Sequence, residues 1–191
     1  MGQERSNREP ASIVDAFLIE CLAWGLLQAH GVKGPPMPVW DMVREPLALF
    51  GRLRLLGVDL GLYDAAYRSC LDGSQVIAVD LTRSRPVQRA SIARALYVAF
   101  CASPRAAELE WPRHTRPQVY GDLFARCLLM PAVWVRDACT QGIPPAGLID
   151  LFDVPVSMVS RRLGDVGLSV LSVSEHEPGS GYLERRTYVE R

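Results

Sequence analysis

The sequence predicts an α+β fold in which helices surround a small antiparallel sheet and a helix-turn-helix-like element follows. Three observations lead to this prediction. Apolar residues recur with a period of about 3.6 near the start of the chain and again in its second half, a strand-like stretch with a hairpin signal lies between them, and a proline-containing turn separates two short helical stretches near the end. The 191 residues are 49% hydrophobic and 22% charged, which excludes disordered, collagen-like and membrane-embedded classes.

Charge and cysteine content indicate which partners and which cellular compartment to expect. Basic and acidic residues both number 21, so no overall field draws the chain to nucleic acid or to anionic lipid. The five cysteines form no CxxC pair and are odd in number, which favours a reducing compartment. The polar start MGQERSNREP lacks the apolar core of a signal peptide, and no apolar run is long enough to span a membrane. We therefore expect a cytoplasmic protein without membrane contact.

The first third of the chain predicts two helices. Residues 11–30 carry apolar side chains at helical spacing, and Gly31 is a plausible end for this first helix. The segment GPPMPV cannot be helical because its prolines lack backbone donors. Residues 41–49 then predict a short second helix.

The middle of the chain predicts the sheet. Residues 52–81 are strand-like, and Leu71-Asp72-Gly73-Ser74 lies between AAYRSC and QVIAVDL. Asp-Gly tolerates the positive φ of a tight hairpin turn. We therefore expect a small antiparallel sheet built around this hairpin.

The second half predicts further helices and a final strand. Helical periodicity covers 87–102, 118–129 and 132–140. The stretches PAGLIDLF and VSMVSRRL flank the turn Asp153-Val154-Pro155, which is a helix-turn-helix outline. SVLSVS predicts a last strand, and the polar, Gly-rich residues 175–191 predict a mobile or partner-ordered tail.

Familiar catalytic motifs are missing from the sequence. No two of the three histidines have the i, i+4 spacing with which a helix chelates zinc. There is no GxSxG elbow, no P-loop and no GxGxxG fingerprint. The motifs therefore do not support a hydrolase or a nucleotide-binding protein.

The chain nevertheless contains three segments that together match a known sequence pattern. They are QRASIARALYVAF, QVYGDLFARCLLMP and LIDLFDVPVSMVSRRLGDVGL, and we call them the frame. Over residues 23–168 this frame resembles the ImmA/IrrE family of metallopeptidases. The resemblance implies a zincin-like helical domain, a sheet with a substrate-binding edge strand, and zinc held by an HExxH helix and an acidic residue on a later helix. It divides the chain into a peptidase-like core at 11–140, a helix-turn-helix-like element at 141–168 packed on that core, and a strand with a polar tail at 169–191.

The chain keeps the apolar positions of the family pattern and departs from its functional ones. Arg94-Ala95-Leu96-Tyr97-Val98 stands in place of HExxH, so Arg94 and Val98 replace the histidines and Ala95 replaces the glutamate. Gln118 stands where the family has its acidic ligand. A catalytic zinc needs three protein ligands and a general base, and these residues supply neither. We therefore predict an inactive protein with no zinc and no other cofactor.

Arg94 invites two interpretations. A guanidinium at the former metal position would replace part of the missing charge and hold Gln118 or Asp122 by a hydrogen bond within the cleft. Alternatively, Arg94 is an ordinary residue of the helix surface. A metal site displaced to another place has weaker support, because no known ligand spacing matches the candidates Cys101, Glu108, Glu110 and His114.

The leading functional hypothesis is a pseudo-peptidase that acts as a protein-binding or regulatory module or as an assembly subunit. Peptidases of the resembled family cleave helix-turn-helix repressors, so a repressor-type transcription regulator is one candidate partner. An extended partner segment would add a strand along the sheet edge. The tail mixes aromatic and Arg residues, and we regard it as a second candidate partner contact, at Tyr182, Arg185, Arg186 and Tyr188.

Two alternatives stay open. In a DNA-binding regulator, residues 156–163 would be the recognition helix and would present Ser157, Ser160, Arg161 and Arg162 outward. Acidic residues nearby and the lack of a basic stripe argue against nucleic acid, so we favour a protein partner. The third alternative is a residual metallopeptidase whose ligands the sequence does not disclose.

Overall fold

The structure, a computed structural model, describes residues 12–112, 117–173 and 185–190. It has the predicted α+β class. The elements in chain order are α1 (Ile13–Ala29), α2 (Val39–Arg44), a 3-10 helix (Ala48–Phe50), β1 (Leu53–Val58), β2 (Ala65–Ser69), β3 (Gln75–Asp80), α3 (Arg85–Cys101), α4 (Pro104–Glu108), α5 (Pro117–Leu129), α6 (Ala132–Thr140), α7 (Pro145–Phe152), α8 (Val156–Asp165), β4 (Leu168–Val173) and β5 (Arg185–Glu190). No helix in the described ranges is long and apolar enough to cross a membrane.

Capping residues set the limits of α1. The Ser12 Oγ accepts a hydrogen bond from the backbone N–H of Asp15 at 3.1 Å, which satisfies a donor at the start of the helix. Gly31 has a φ of +64° and lets the chain turn just beyond the end. The inward face of α1 enters the main core through Ile19, Ala23, Leu26 and Leu27.

The three-stranded sheet is mixed, with the strand order β1-β3-β2. β2 and β3 form the predicted antiparallel hairpin, and Gly73 in its turn has a φ of +75°. The prediction of an antiparallel sheet is wrong for β1, which pairs in parallel with β3. The chain crosses from one edge of the sheet to the other between β1 and β2, so the pairing of β1 is a tertiary contact without a local turn signal.

Helix α3 is the centre of the domain. It packs against β2 and β3 on one side and against α5 on the other, and α1 covers α5. The rings of Tyr97 on α3 and Phe124 on α5 lie 5.3 Å apart between centroids. From Arg89 to Phe100 every side chain of α3 is buried except those of Arg94 and Val98, which lie one turn apart. These two residues therefore face the opening between β2 and α5.

The helix-turn-helix outline forms as α7 and α8. Asp153 ends α7 in the left-handed conformation, with φ 51° and ψ 58°. Phe152 and Val154 on either side of it are fully buried. The exposed positions of α8 include Val156, Ser157, Ser160 and Arg161.

The described part of the predicted C-terminal tail is a strand. Arg185–Glu190 forms β5, which pairs antiparallel with β4 in a separate two-stranded sheet. For residues 185–190 the structure therefore has a strand where a mobile or partner-ordered tail was predicted. This strand is hard to predict from the sequence because polar residues surround the short run Thr187-Tyr188-Val189, whose β propensity favours a strand. Tyr182 lies outside the described residues.

Candidate functional site

A cleft of about 510 Å³ opens between the edge strand β2, the middle of α3 and the first turns of α5. Its wall carries a few polar groups among small apolar ones. The lining residues are Asp64, Ala65, Ala66, Tyr67, Ser91, Arg94, Ala95, Val98, Pro117, Gln118, Gly121 and Asp122. Such a concave, mostly apolar surface with a few converging polar groups is typical of a binding site.

The structure brings the five predicted cleft residues together. Arg94, Ala95 and Val98 come from α3, and Gln118 and Asp122 come from α5. On each helix two of these residues are four positions apart, so they lie one above the other on the same face. The residues that were predicted to occupy former metal-site positions therefore line a cleft.

An ion pair bridges the cleft between α3 and α5. The Arg94 Nε donates to the Asp122 Oδ1 at 2.5 Å, and the Arg94 Nη1 donates to the Ser91 Oγ at 3.3 Å. Arg161 on α8 also approaches, with its Nη1 4.0 Å from the Asp122 Oδ2. Both side chains of the Arg94–Asp122 pair are partly exposed, so bulk water weakens their attraction. Arg94 thus lies in the cleft and holds Asp122 rather than Gln118.

The described residues that line the cleft do not supply the donor set of a zinc site. Within residues 12–112, 117–173 and 185–190, no three side chains of His, Cys, Asp or Glu come together as metal ligands would. A guanidinium does not bind a cation, and Ala95 and Val98 have no donor atom. Of the displaced candidates, Cys101, Glu108 and Glu110 are described, while His114 lies outside the described residues.

Among the described strands β2 lies at the edge of the sheet, and it forms one side of the cleft. The Asp80 N–H donates to the Asp64 carbonyl at 3.0 Å, and the Cys70 N–H donates to the Ser74 carbonyl at 2.8 Å. Hydrogen-bonded pairs alternate along an antiparallel ladder, so the backbone groups of the odd-numbered residues of β2 point away from β3. β2 therefore directs a row of N–H and C=O groups outward at Ala65, Tyr67 and Ser69, where another strand would pair.

The prediction that α8 presents Arg162 outward is wrong. This side chain is only 2% exposed. Its Nε donates to the Met130 carbonyl at 2.7 Å, its Nη1 to the Cys127 Sγ at 3.4 Å, and its Nη2 to the Glu20 Oε1 at 2.6 Å. A signal for this was present in the sequence, because Arg162 shares the helix face of the apolar residues Met158, Val159 and Leu163.

Arg162 changes the electrostatics of the groups it contacts. Burial by itself would raise the pKa of the Glu20 carboxyl, but the hydrogen bond and the positive charge of Arg162 outweigh this effect, so the pKa is lowered. Burial raises the pKa of the Cys127 thiol. Arg162 therefore ties α8 to α1 and to the end of α5 through an ion pair and a helix-end carbonyl.

The other predicted contact residues that the structure describes lie on α8 and in β5. Ser157 and Ser160 are exposed on α8, as expected. The Arg161 side chain is 55% exposed, and its Nη1 lies 4.0 Å from the Asp122 Oδ2. The backbones of Arg185, Arg186 and Tyr188 lie in β5.

No protein-family model matches the chain, and no curated protein matches it either. Among solved structures, the chain is similar to a Mycobacterium tuberculosis transcriptional regulator, with a TM-score of 0.58 and 16% sequence identity. The match covers 84% of this chain and 58% of that chain, so this protein corresponds to a little over half of the regulator's length. At this identity the likeness shows a shared fold.

Proposed function

We propose that this protein is a catalytically inactive relative of the ImmA/IrrE peptidases that binds an extended segment of a partner protein in the cleft between β2 and α3. A repressor-type transcription regulator is our candidate partner. One observation carries the proposal: an Arg94–Asp122 ion pair, instead of metal ligands, stands beside the free edge of an exposed strand.

The edge strand supplies the sequence-independent part of binding. The outward N–H and C=O groups of Ala65, Tyr67 and Ser69 match the spacing of an added strand. Such main-chain pairing accepts many sequences, and neighbouring side chains select among them.

Arg94 supplies the selective part. Its Nε and Nη1 are engaged by Asp122 and Ser91, while its Nη2 makes no hydrogen bond within the described residues. A guanidinium with an available N–H favours an anionic acceptor. We therefore expect the bound segment to place an acidic side chain or a terminal carboxylate opposite Arg94.

A peptide selection tests this function. Random peptides displayed on phage are selected on the purified full chain, and the enriched peptides are synthesised and titrated by fluorescence anisotropy. Ala65→Pro removes an outward N–H without removing a bond to β3, and an edge strand tolerates proline at such a position. The expected affinity loss is about tenfold or more, which corresponds to one hydrogen bond plus the steric effect of the ring.

Ala65→Ser is the matched control, because it keeps the N–H and a small side chain at the same position. It is expected to bind like the wild type. Circular dichroism checks that both variants fold. Failure to enrich any peptide, or equal affinities of Ala65→Pro and Ala65→Ser, would contradict the proposal.

DNA binding is the second candidate, because Ser157, Ser160 and Arg161 are exposed on α8 and the similar Mycobacterium tuberculosis protein is a transcriptional regulator. The burial of Arg162 removes one of the two expected basic contacts, and Arg161 has Asp122 nearby. An electrophoretic mobility shift with random-sequence duplex DNA separates the two functions. A salt-sensitive shift that Arg161→Ala abolishes would favour DNA over a peptide.

A further inference from the structure

The outward face of α1 is mostly apolar and carries no charge. Six of its exposed residues are Ile13, Val14, Phe17, Cys21, Trp24 and Gly25, which we call the α1 stripe, and the exposed residues Gln28 and Ala29 follow them at the end of the helix. Ile13 is 89% exposed and Phe17 67% exposed. A helix on the surface of a monomer normally turns charged and polar residues outward. The α1 stripe therefore has the composition of a covered surface.

Both charged residues of α1 are engaged away from this stripe. The Asp15 Oδ2 accepts a hydrogen bond from the Tyr120 hydroxyl at 3.0 Å, and the Glu20 Oε1 accepts one from the Arg162 Nη2 at 2.6 Å. These contacts hold α1 against α5 and α8. They also leave the outward face without a charge that would recognise a charged partner or repel an identical one.

We propose that two copies of this chain associate through their α1 stripes, with the two helices antiparallel about a twofold axis at the level of residue 19. This arrangement places Phe17 opposite Cys21, Ile13 opposite Gly25 and Trp24 opposite Val14 of the second copy. In every pair a larger side chain meets a smaller one, which lets the two helix surfaces interdigitate. A twofold interface must be complementary to itself, and the α1 stripe meets this requirement.

The area of the stripe agrees with a second copy as its occupant. With aromatic side chains of roughly 150–250 Å² each, the exposed apolar groups amount to about 500 Å² per copy. Pairing therefore buries on the order of 1,000 Å² in total, which is at the lower limit for specific association. The dimer is accordingly weak and forms at micromolar or higher concentrations.

Sedimentation velocity of the full chain over a concentration series tests the dimer. The wild type is expected to shift from the 21.1 kDa monomer to twice that mass as concentration rises. Phe17→Glu places a charge in the centre of both helices and is expected to weaken association on the order of a thousandfold. The matched control Leu62→Glu changes an apolar residue that is 93% exposed in the β1–β2 loop, and it is expected to dimerise normally.

A disulfide test examines the register. Phe17→Cys places a thiol opposite the exposed Cys21 of the second copy, within the reach of a disulfide in the proposed arrangement. Oxidation by dithiodipyridine, which accepts the two electrons and is released as thiopyridone, is expected to give a covalent dimer. Leu62→Cys and the wild type should stay uncrosslinked.

The proposal is overturned by a wild type that stays monomeric at high concentration, by a dimer that Phe17→Glu leaves intact, or by equal dissociation of Phe17→Glu and Leu62→Glu. It is also overturned if Phe17→Cys crosslinks no better than Leu62→Cys. Because the stripe is separate from the lining of the cleft, failure of either proposal leaves the other standing.

Discussion

Replacing Arg162 with alanine removes a side chain that joins α8, the end of α5 and α1. The guanidinium hydrogen-bonds the Met130 carbonyl and the Glu20 carboxylate and also contacts Cys127. The substitution leaves a partly buried carboxylate without its cation and a helix-end carbonyl without a donor. It also leaves a cavity where the side chain was.

The magnitude follows from the burial of each group. Removing one member of a buried ion pair costs about 3–5 kcal/mol. The Glu20 side chain is 36% exposed, so water can solvate part of its charge and the lower end applies. We therefore expect Arg162→Ala to lower the free energy of unfolding by about 3 kcal/mol. In a domain of this size the corresponding loss in Tm is roughly 6–12 °C.

Urea unfolding at neutral pH, followed by tryptophan fluorescence and circular dichroism, measures this change. Arg161→Ala is the matched control, because it removes the neighbouring arginine, whose side chain is 55% exposed. Its expected cost is below about 0.5 kcal/mol. A difference of less than about 1 kcal/mol between the two variants would refute the structural role given to Arg162. Combining Arg162→Met with Glu20→Gln removes both charges and should recover part of the loss.

Two further predictions concern protons and metal. Because the folded-state pKa of Glu20 is lowered, its ion pair stabilises the fold above the unfolded-state pKa of about 4.3 and loses this effect as the pH falls through the folded-state value. The destabilisation by Glu20→Gln should therefore shrink between pH 7 and pH 3 in urea titrations, and a constant difference would contradict it. Introducing Arg94→His, Ala95→Glu, Val98→His and Gln118→Glu together should create stoichiometric zinc binding, measured by plasma mass spectrometry against the wild type. A folded variant without zinc would count against the proposed relationship to metallopeptidases.

Local patterns predicted most of the secondary structure. The helices over 132–140 and 145–152 have the bounds that periodicity and proline positions indicate, and α8 continues two residues beyond its predicted end. The Asp-Gly turn identified the hairpin. These features depend on residues close together in the chain, which is why a sequence alone reveals them. Helix α4, at Pro104–Glu108, was missed because it is too short to show a period.

The sequence by itself determined the α+β class, the order of the longer helices around the hairpin, and five of the residues that line the cleft. Only the tertiary structure decided that β1 pairs in parallel with β3. It also decided that Arg94 hydrogen-bonds Asp122 instead of Gln118, and that Arg162 is buried against Glu20. In each case the partners come from different elements, so their contact depends on how helices and strands pack. Helical periodicity can place Arg162 on an apolar face, but packing decides which carboxylate, carbonyl and thiol meet it there.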